Sequence, residues 1–400
     1  MNKKRFTLLI VGLAVVVIAG LTTLFITKKM NSETTYIGFY DIPEKYYNAY
    51  EEVITKDNNG KIKLVTLTDK DINSNNITKK IDLLITYNGY VTQSLIGKAK
   101  ALPSDIISRF SRTINSSPLF TDDNIQKIFP ITLDLFETLL LTTAVNHYDL
   151  PVPSIIEEIN DFGLKAQEIY PIPIVVSGGD DFTLNCLFTQ LVDAFGGIDG
   201  YYNVAEQMKE DPSLDDFYNY VVTTDSSTGK DITVSTLLYY INMWEDKSIL
   251  SKTWRTTLPS STAQLIEDNR TTMALMTLSE HRNVASNNLN YYEPLLFPSY
   301  EGNNSNRVSI QPCVVGMVFR DTPQTKIITS RLTTSDNQEL LSLQTQMGPT
   351  TLQGTSFDRQ ADDCRFFAAS FPGGPVPDLA TLVFSDKEMM HQMAELIRNY

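Results

Sequence analysis

Histidine and cysteine are scarce in this chain, three of each among 400 residues, and basic residues fall short of acidic ones by 33 to 47. Each shortage excludes something. His147, His281 and His391 are scattered, with no metal-ligand spacing to one another or to a cysteine, so the sequence encodes no recognisable zinc site. Cys186, Cys313 and Cys364 are too few for a disulfide scaffold. One pair could bridge, Cys313 with Cys364 before the others, but sparse buried thiols are the commoner case. Catalytic signatures are also missing: there is no Gly-rich phosphate loop, no Gly-x-Ser-x-Gly elbow and no His-Glu-x-x-His. The expectation is therefore a protein without cofactor or metal that is not an enzyme. Residues 1–29 hold five basic and no acidic residues, which leaves 28 basic against 47 acidic and a charge of −19 for the remainder. A polyanion would be repelled over most of that surface, which argues against nucleic acid as a partner.

What the chain does have is a run of 22 uncharged residues, 6–27, between Lys3-Lys4-Arg5 and Lys28-Lys29. As a helix it would span roughly 33 Å, enough to cross the hydrocarbon core of a bilayer. The basic excess on its N-terminal side predicts a cytoplasmic N-terminus and an extracytoplasmic remainder, periplasmic or extracellular. A cleaved signal peptide is the rival reading, with Val17-Ile18-Ala19 as its small-residue site. The residues that follow are too many for one core, so two domains are expected.

Strand and helix patterns alternate from Tyr36 onward. Residues 36–40 read as a strand, Tyr46, Tyr47, Tyr50 and Val53 fall at helical spacing, and 62–67 and 81–86 read as further strands. That order predicts a parallel sheet with covered faces. Residues 130–141 form one extended run, Ser154 and Glu157 suggest a capping box heading a helix through Phe162, and 172–176 is a strand. A helix is expected over 183–195 with Gly196-Gly197 as its stop, and two helices between Ser213 and Trp254 around the polar turn 225–229. Strands at 273–278 and 309–319 and helices over 325–346 and 385–399 complete the pattern.

Four stretches resemble one family. Leu150-Pro151-Val152-Pro153 with Glu157-Glu158-Ile159 is similar to a Leu-Pro, Pro, Trp-Asp-Glu-Leu helix start, although Ile155-Ile156 stands where the family has Thr-Trp. Asp193-Ala194-Phe195-Gly196-Gly197 resembles its Gly-Gly after a long helix. The stretch 265–274, ending Thr272-Met273-Ala274, is similar to its helix leading into an Ala-Met strand, and Leu332-Thr333-Thr334-Ser335-Asp336-Asn337-Gln338 to its Leu-Thr-Ser-Pro-Glu-x-Gln. The family is the extracellular solute-binding proteins of family 1, maltose-binding-like receptors of bacterial ABC importers. The resemblance implies an α/β, two-lobed periplasmic-binding-protein-like fold of type II, here behind an N-terminal transmembrane helix. One lobe would comprise 33–137 with 305–350, the other 138–304 with 351–400.

In such a fold the ligand lies in a cleft at the C-terminal ends of strands. By sequence pattern those ends carry Tyr40 and Asp41, Tyr87 and Asn88, Asp134, Asp181, and the turn Glu280-His281-Arg282. Aromatic faces suit a sugar ring, and carboxylates and amides suit its hydroxyls. Plainer roles stand beside these: Tyr40 and Tyr87 as packing residues, Asp41 and Asp181 as helix caps, and 280–282 as a solvated turn. The expected function is capture of a small polar solute, a saccharide in the first place, for an ABC permease. Rival expectations are a membrane-tethered receptor or scaffold that has abandoned transport, and a carbohydrate-active enzyme.

Overall fold

The computed structural model describes residues 34–400 except 57–60, 75, 285–287, 289–290, 302, 304 and 357. The apolar run 6–27 lies outside the described residues; among those described, no helix is long and apolar enough to cross a membrane.

The chain enters a first sheet through β1 (Thr35–Phe39), followed by helix α1 (Glu44–Thr55). Tyr46, Ala49, Tyr50, Val53 and Ile54 recur on one side of α1 at spacings of three and four and are all buried. β2 (Ile62–Thr66) and β3 (Leu83–Tyr87) run parallel to β1, with Ile37 opposite both Leu64 and Leu83. Leu83, Leu84 and Ile85 are fully buried, the continuous apolar run that a strand covered on both faces requires. Helix α2 (Tyr90–Leu95) and strand β4 (Ile128–Leu133) follow.

Asp134 and Leu135 then carry the chain out of this sheet. A second sheet contains β5 (Phe136–Leu141), β6 (Ile172–Val176), β7 (Thr271–Thr277) and β8 (Tyr292–Leu295), in spatial order β8-β5-β7-β6. Helix α3 (Asp181–Glu210) follows β6, and the single turn α4 (Leu278–His281) follows β7. The chain returns through Gln311-Pro312 to β9 (Cys313–Val318), which lies antiparallel between β3 and β4. Helices α5 (Pro323–Leu332) and α6 (Ser335–Thr345) pack on α1, and β10 (Gly348–Pro349) completes the order β10-β4-β9-β3-β1-β2. A third passage leads to α7 (Arg359–Ser370), α8 (Leu379–Val383) and α9 (Lys387–Asn399).

The crossing segments are tied together by backbone and side chain. Asp134 N–H donates to the Pro312 carbonyl at 2.8 Å, binding the first crossing to the second. At the third, Thr350 N–H donates to Gln338 Oε1 at 2.7 Å, while Gln338 Nε2 donates to the carbonyls of Ile131 and Leu332 at 2.9 and 2.6 Å. A buried amide paired at both ends avoids the penalty of an orphaned polar group.

Several sequence expectations are corrected. The extended run 130–141 and the expected strand 309–319 are each split where the chain changes sheets, at Asp134-Leu135 and at Gln311-Pro312. Ser154 pairs with Glu158, not Glu157: its N–H and hydroxyl reach Glu158 Oε2 at 2.8 and 2.9 Å, and the helix runs Glu158–Gln167. The first of the two helices expected after Ser213 is instead a hairpin, Val221–Thr224 with Asp231–Thr233. Its turn is closed by Asp225, which accepts from the N–H groups of Ser227 and Thr228 at 2.7 and 3.0 Å, and its flanks are β-branched. The cysteines need no correction: all three are buried free thiols, the case the sequence favoured, and Cys313 and Cys364 are not bridged.

Gly196-Gly197 does not stop α3; it kinks it. Gly197 has φ 58° and ψ −150°, and the chain continues helically to Glu210 because Ile198 N–H finds the Asn306 carbonyl at 2.7 Å. A Cβ at Gly197 would stand 2.6 Å from that same carbonyl oxygen. Gly197→Ala is therefore expected to cost about 2–4 kcal/mol, from left-handed strain plus the clash, as read by urea unfolding.

Candidate functional site

The C-terminal ends of β1, β3 and β4 share one edge of the first sheet, those of β6 and β7 one edge of the second, and the crossings join the two edges. Asp134 lies at the join, 2% exposed. Its Oδ1 accepts from the N–H of Leu135 at 2.9 Å and of Ser279 at 3.0 Å, and its Oδ2 from the Ser279 hydroxyl at 2.6 Å. Burial pushes this carboxyl up, and the Ser279 and Leu135 donors pull it back. Tyr46, from the buried face of α1, lies close to Ser279 and within the field of Asp134. Tyr50 meets Thr132 Oγ1 at 2.9 Å, and Tyr87 stands beside Tyr46 and Tyr50, its phenol pushed up first by burial.

The nine nominated residues fall into three groups. Tyr40, Asp41, Tyr87, Asn88 and Asp134 lie together along the edge of the first sheet. Tyr40 donates to Asp69 Oδ1 at 2.7 Å; Asn88 Oδ1 accepts from the Thr92 hydroxyl at 2.9 Å. Asp41, with φ 54°, makes no cap for α1 and instead pairs with Lys387 of α9. Glu280 faces this group from the second sheet. It forms a capping box with Thr277, 2.9 Å from the Thr277 N–H, and accepts from Thr183 at 3.1 Å.

His281, Arg282 and Asp181 are spent elsewhere. His281 is fully buried, with Nδ1 3.0 Å from Glu137 Oε2. Arg282 grips the third crossing, donating to the carbonyls of Ser342 and Met347 at 2.9 and 3.1 Å and to Asp358 Oδ2 at 2.9 Å. The stretch 280–282 is therefore mostly buried structure and not a solvated turn. Asp181 pairs with His391 at 2.7 Å and with Arg398, while the cap of α3 is its neighbour Asp180, which takes Thr183 N–H at 2.9 Å. Tyr46 and Ser279 were not singled out from sequence: Tyr46 reads there only as part of an apolar helix face, and Ser279 as the residue next to the Glu280 turn.

The seam is acidic. Burial holds the Cys186 thiol far above its ordinary value, and Asp378, Asp134, Glu280 and Asp180 add to the effect. Glu280 is raised to about 7, first by burial and then by Asp180 and Asp134, against the Thr277 and Thr183 hydrogen bonds. No group of three or more His, Cys, Asp or Glu side chains among the described residues is arranged to hold a metal ion. Two of the larger hollows, about 390 and 420 Å³, lie apart from this seam, lined by residues such as Lys100, Ile106 and Thr329 in one and Arg109, Thr334 and Thr351 in the other.

No family model and no curated protein matches this sequence. Solved structures do match. The bacterial solute receptor AcbH, described as having an exclusive preference for β-D-galactopyranose, is similar over 92% of this chain and 93% of its own, at 14% identity and a TM-score of 0.68. The apo form of RafE from Streptococcus pneumoniae is similar over 92% and 93%, at 12% identity and a TM-score of 0.65. A sugar transporter protein from Bacillus licheniformis in complex with stachyose is similar over 91% and 94%, at 12% identity and a TM-score of 0.61. The fold is that of the two-lobed solute-binding proteins. At such identities the likeness concerns the fold, whose lobes here are built on the two sheets and meet at the Asp134 seam.

Two outcomes follow from the seam of this two-lobed fold. Arg282→Ala leaves two buried carbonyls and Asp358 without their cation and is expected to cost about 3–5 kcal/mol in denaturant unfolding, with Arg282→Lys recovering only part. Glu280 is protonated up to about pH 7 in the folded chain but only to about 4.5 when unfolded, so its contribution to stability is full below about pH 4.5 and lost as pH rises through about 7. Glu280→Gln should remove that loss, flattening the decline of stability over the window by on the order of 1–3 kcal/mol when melting is followed against pH.

Proposed function

We propose that this chain is an extracytoplasmic solute-binding protein that captures a small polar solute, a saccharide in the first place, between its two lobes and hands it to an ABC permease. The reading is carried by one observation: carboxylates, phenols and an amide from facing strand ends converge at the seam of a fold it shares with proteins described as galactopyranose- and stachyose-binding. Oxygen acceptors of this kind suit sugar hydroxyls, and the phenol faces suit the ring. The charge of −19 beyond residue 29 disfavours anions, leaving neutral or weakly cationic solutes. The two lobes, one on each sheet, close because the solute contacts both.

Native mass spectrometry of freshly purified full chain, followed by titration with raffinose and stachyose, tests this. A bound neutral saccharide is expected, with Tyr87→Ala and Asp134→Ala each weakening binding by about 1–3 kcal/mol. A chain that holds and binds no saccharide overturns the reading. It would favour a tethered receptor or scaffold without transport, which one observation supports: the lobes already meet across the seam, Ser279 on Asp134 and Thr381 against Gly89.

Residues 6–27 would hold the protein at the membrane by a single pass. Full-length protein is then expected to sediment with membranes, and a chain begun at Asn31 to stay soluble. Soluble full-length product with a new N-terminus near Gly20 would identify a cleaved signal instead.

A further inference from the structure

The two strand-end loops of the first lobe, Tyr40-Asp41 and Asn88-Gly89, are both contacted by one stretch of the chain's own C-terminal part. Gly89 precedes α2, and a Cβ built on it would lie 2.4 Å from the Thr381 carbonyl oxygen and 2.7 Å from Thr381 Cγ2. Only a residue without a side chain permits that approach of backbone to backbone. A few residues on, Lys387 pairs with Asp41, and Asp386 lies near enough to add to the upward push on the Tyr40 hydroxyl. The other side of the stretch is fixed to the second lobe: Leu379 N–H donates to Thr189 Oγ1 at 2.9 Å and Tyr201 donates to the Pro377 carbonyl at 3.0 Å, both from α3. Between these attachments Leu379, Ala380, Leu382, Val383 and Phe384 are all buried.

We propose that residues 378–387 are a built-in occupant of the solute cleft, seated on the strand ends where the solute would bind, and that capture requires this strap to leave the first lobe. The inference rests on the solute-binding reading above. Its attachments are unequal. The α3 side chains of Thr189, at Leu379 N–H, and of Tyr201, at the Pro377 carbonyl just before the strap, hold it to the second lobe. Toward the first lobe it has packing at Gly89 and an ion pair whose partners are 74% and 36% exposed, a kind of pair that contributes little in water. Hinge opening therefore separates strap from first lobe in preference to strap from α3. Asp378 gives the strap a polar function as well: Oδ1 caps α8 through Thr381 N–H at 3.0 Å, whereas Oδ2 is buried without a hydrogen-bond partner. A solute hydroxyl arriving at the vacated strand ends would supply the donor that this acceptor lacks. Because only the withdrawn fraction of molecules is competent, the apparent affinity of the native chain is lowered by that fraction.

The test pairs calorimetric titration of raffinose and stachyose with hydrogen exchange of 377–387, on the full chain in mild detergent. Gly89→Ala forces the Thr381 carbonyl away, and it is expected to speed exchange at 379–384 and to tighten saccharide binding about tenfold or more. Lys387→Glu, at an exposed position that leaves folding intact, should act in the same direction to a smaller extent. In the native chain, saccharide should itself raise exchange over 379–384. Saccharide binding of unchanged strength in both variants, with 379–384 equally protected in free and bound protein, overturns the strap and leaves the solute-binding reading standing. Failure of native chain and variants alike to bind any saccharide overturns that reading and the strap with it.

Discussion

A carboxylate is placed at the point where the chain first leaves one sheet for the other, and much of the seam is arranged around it. Asp134 has three donors within 3.0 Å, and two of them belong to Ser279, at the end of a strand in the opposite lobe. Burying such a group without partners would cost several kcal/mol, so the second lobe must present Ser279 whenever Asp134 is shielded from water. That requirement couples the mutual position of the sheets to a hydrogen-bond set. Tyr46, whose helix packs on the first sheet, lies beside the same pair and within the field of Asp134.

Arg282 performs the complementary task at the third crossing. Its guanidinium joins the turn after β7 to two backbone carbonyls near the end of the first sheet and to Asp358 at the start of α7. The molecule thus has a polar pivot on either side of the passage between its halves, one an acidic and one a basic side chain, each satisfied by groups from more than one segment. Between these pivots lie the strand ends of the first lobe. There the chain supplies mostly oxygen acceptors and phenols, and its own residues 378–387 lie over them.

How much of this could be read from sequence depended on the range of the interaction. β1, α1 and β3 were legible because apolar spacing within a few residues determines them, and the buried stripe Tyr46, Ala49, Tyr50, Val53 follows the helical period. The break at Asp134 was not, because 130–141 is extended on both sides and only the return of Pro312 alongside it makes the chain change sheets. The hairpin at 221–233 was missed for a different reason: Val221–Thr224 is four residues long, too short for a period of two to be told from one of 3.6. In the site, strand ends located Tyr40, Asn88 and Asp134 at one edge. Nothing local distinguishes Asp180 from Asp181 as the cap of α3, and nothing local announces that Arg282 has carbonyl partners far along the chain.

The three free thiols have a practical meaning. Cys186, Cys313 and Cys364 are at most 1% exposed, and burial keeps each in its protonated, unreactive form. For a chain whose folded part is expected to face an oxidising exterior, this removes the danger of mixed disulfides with neighbouring molecules. It also makes the surface blank to maleimide chemistry. Dyes attached through cysteines introduced at the exposed Ile125 and Tyr239, one on each half, would report the distance between lobes without removing any native sulfur.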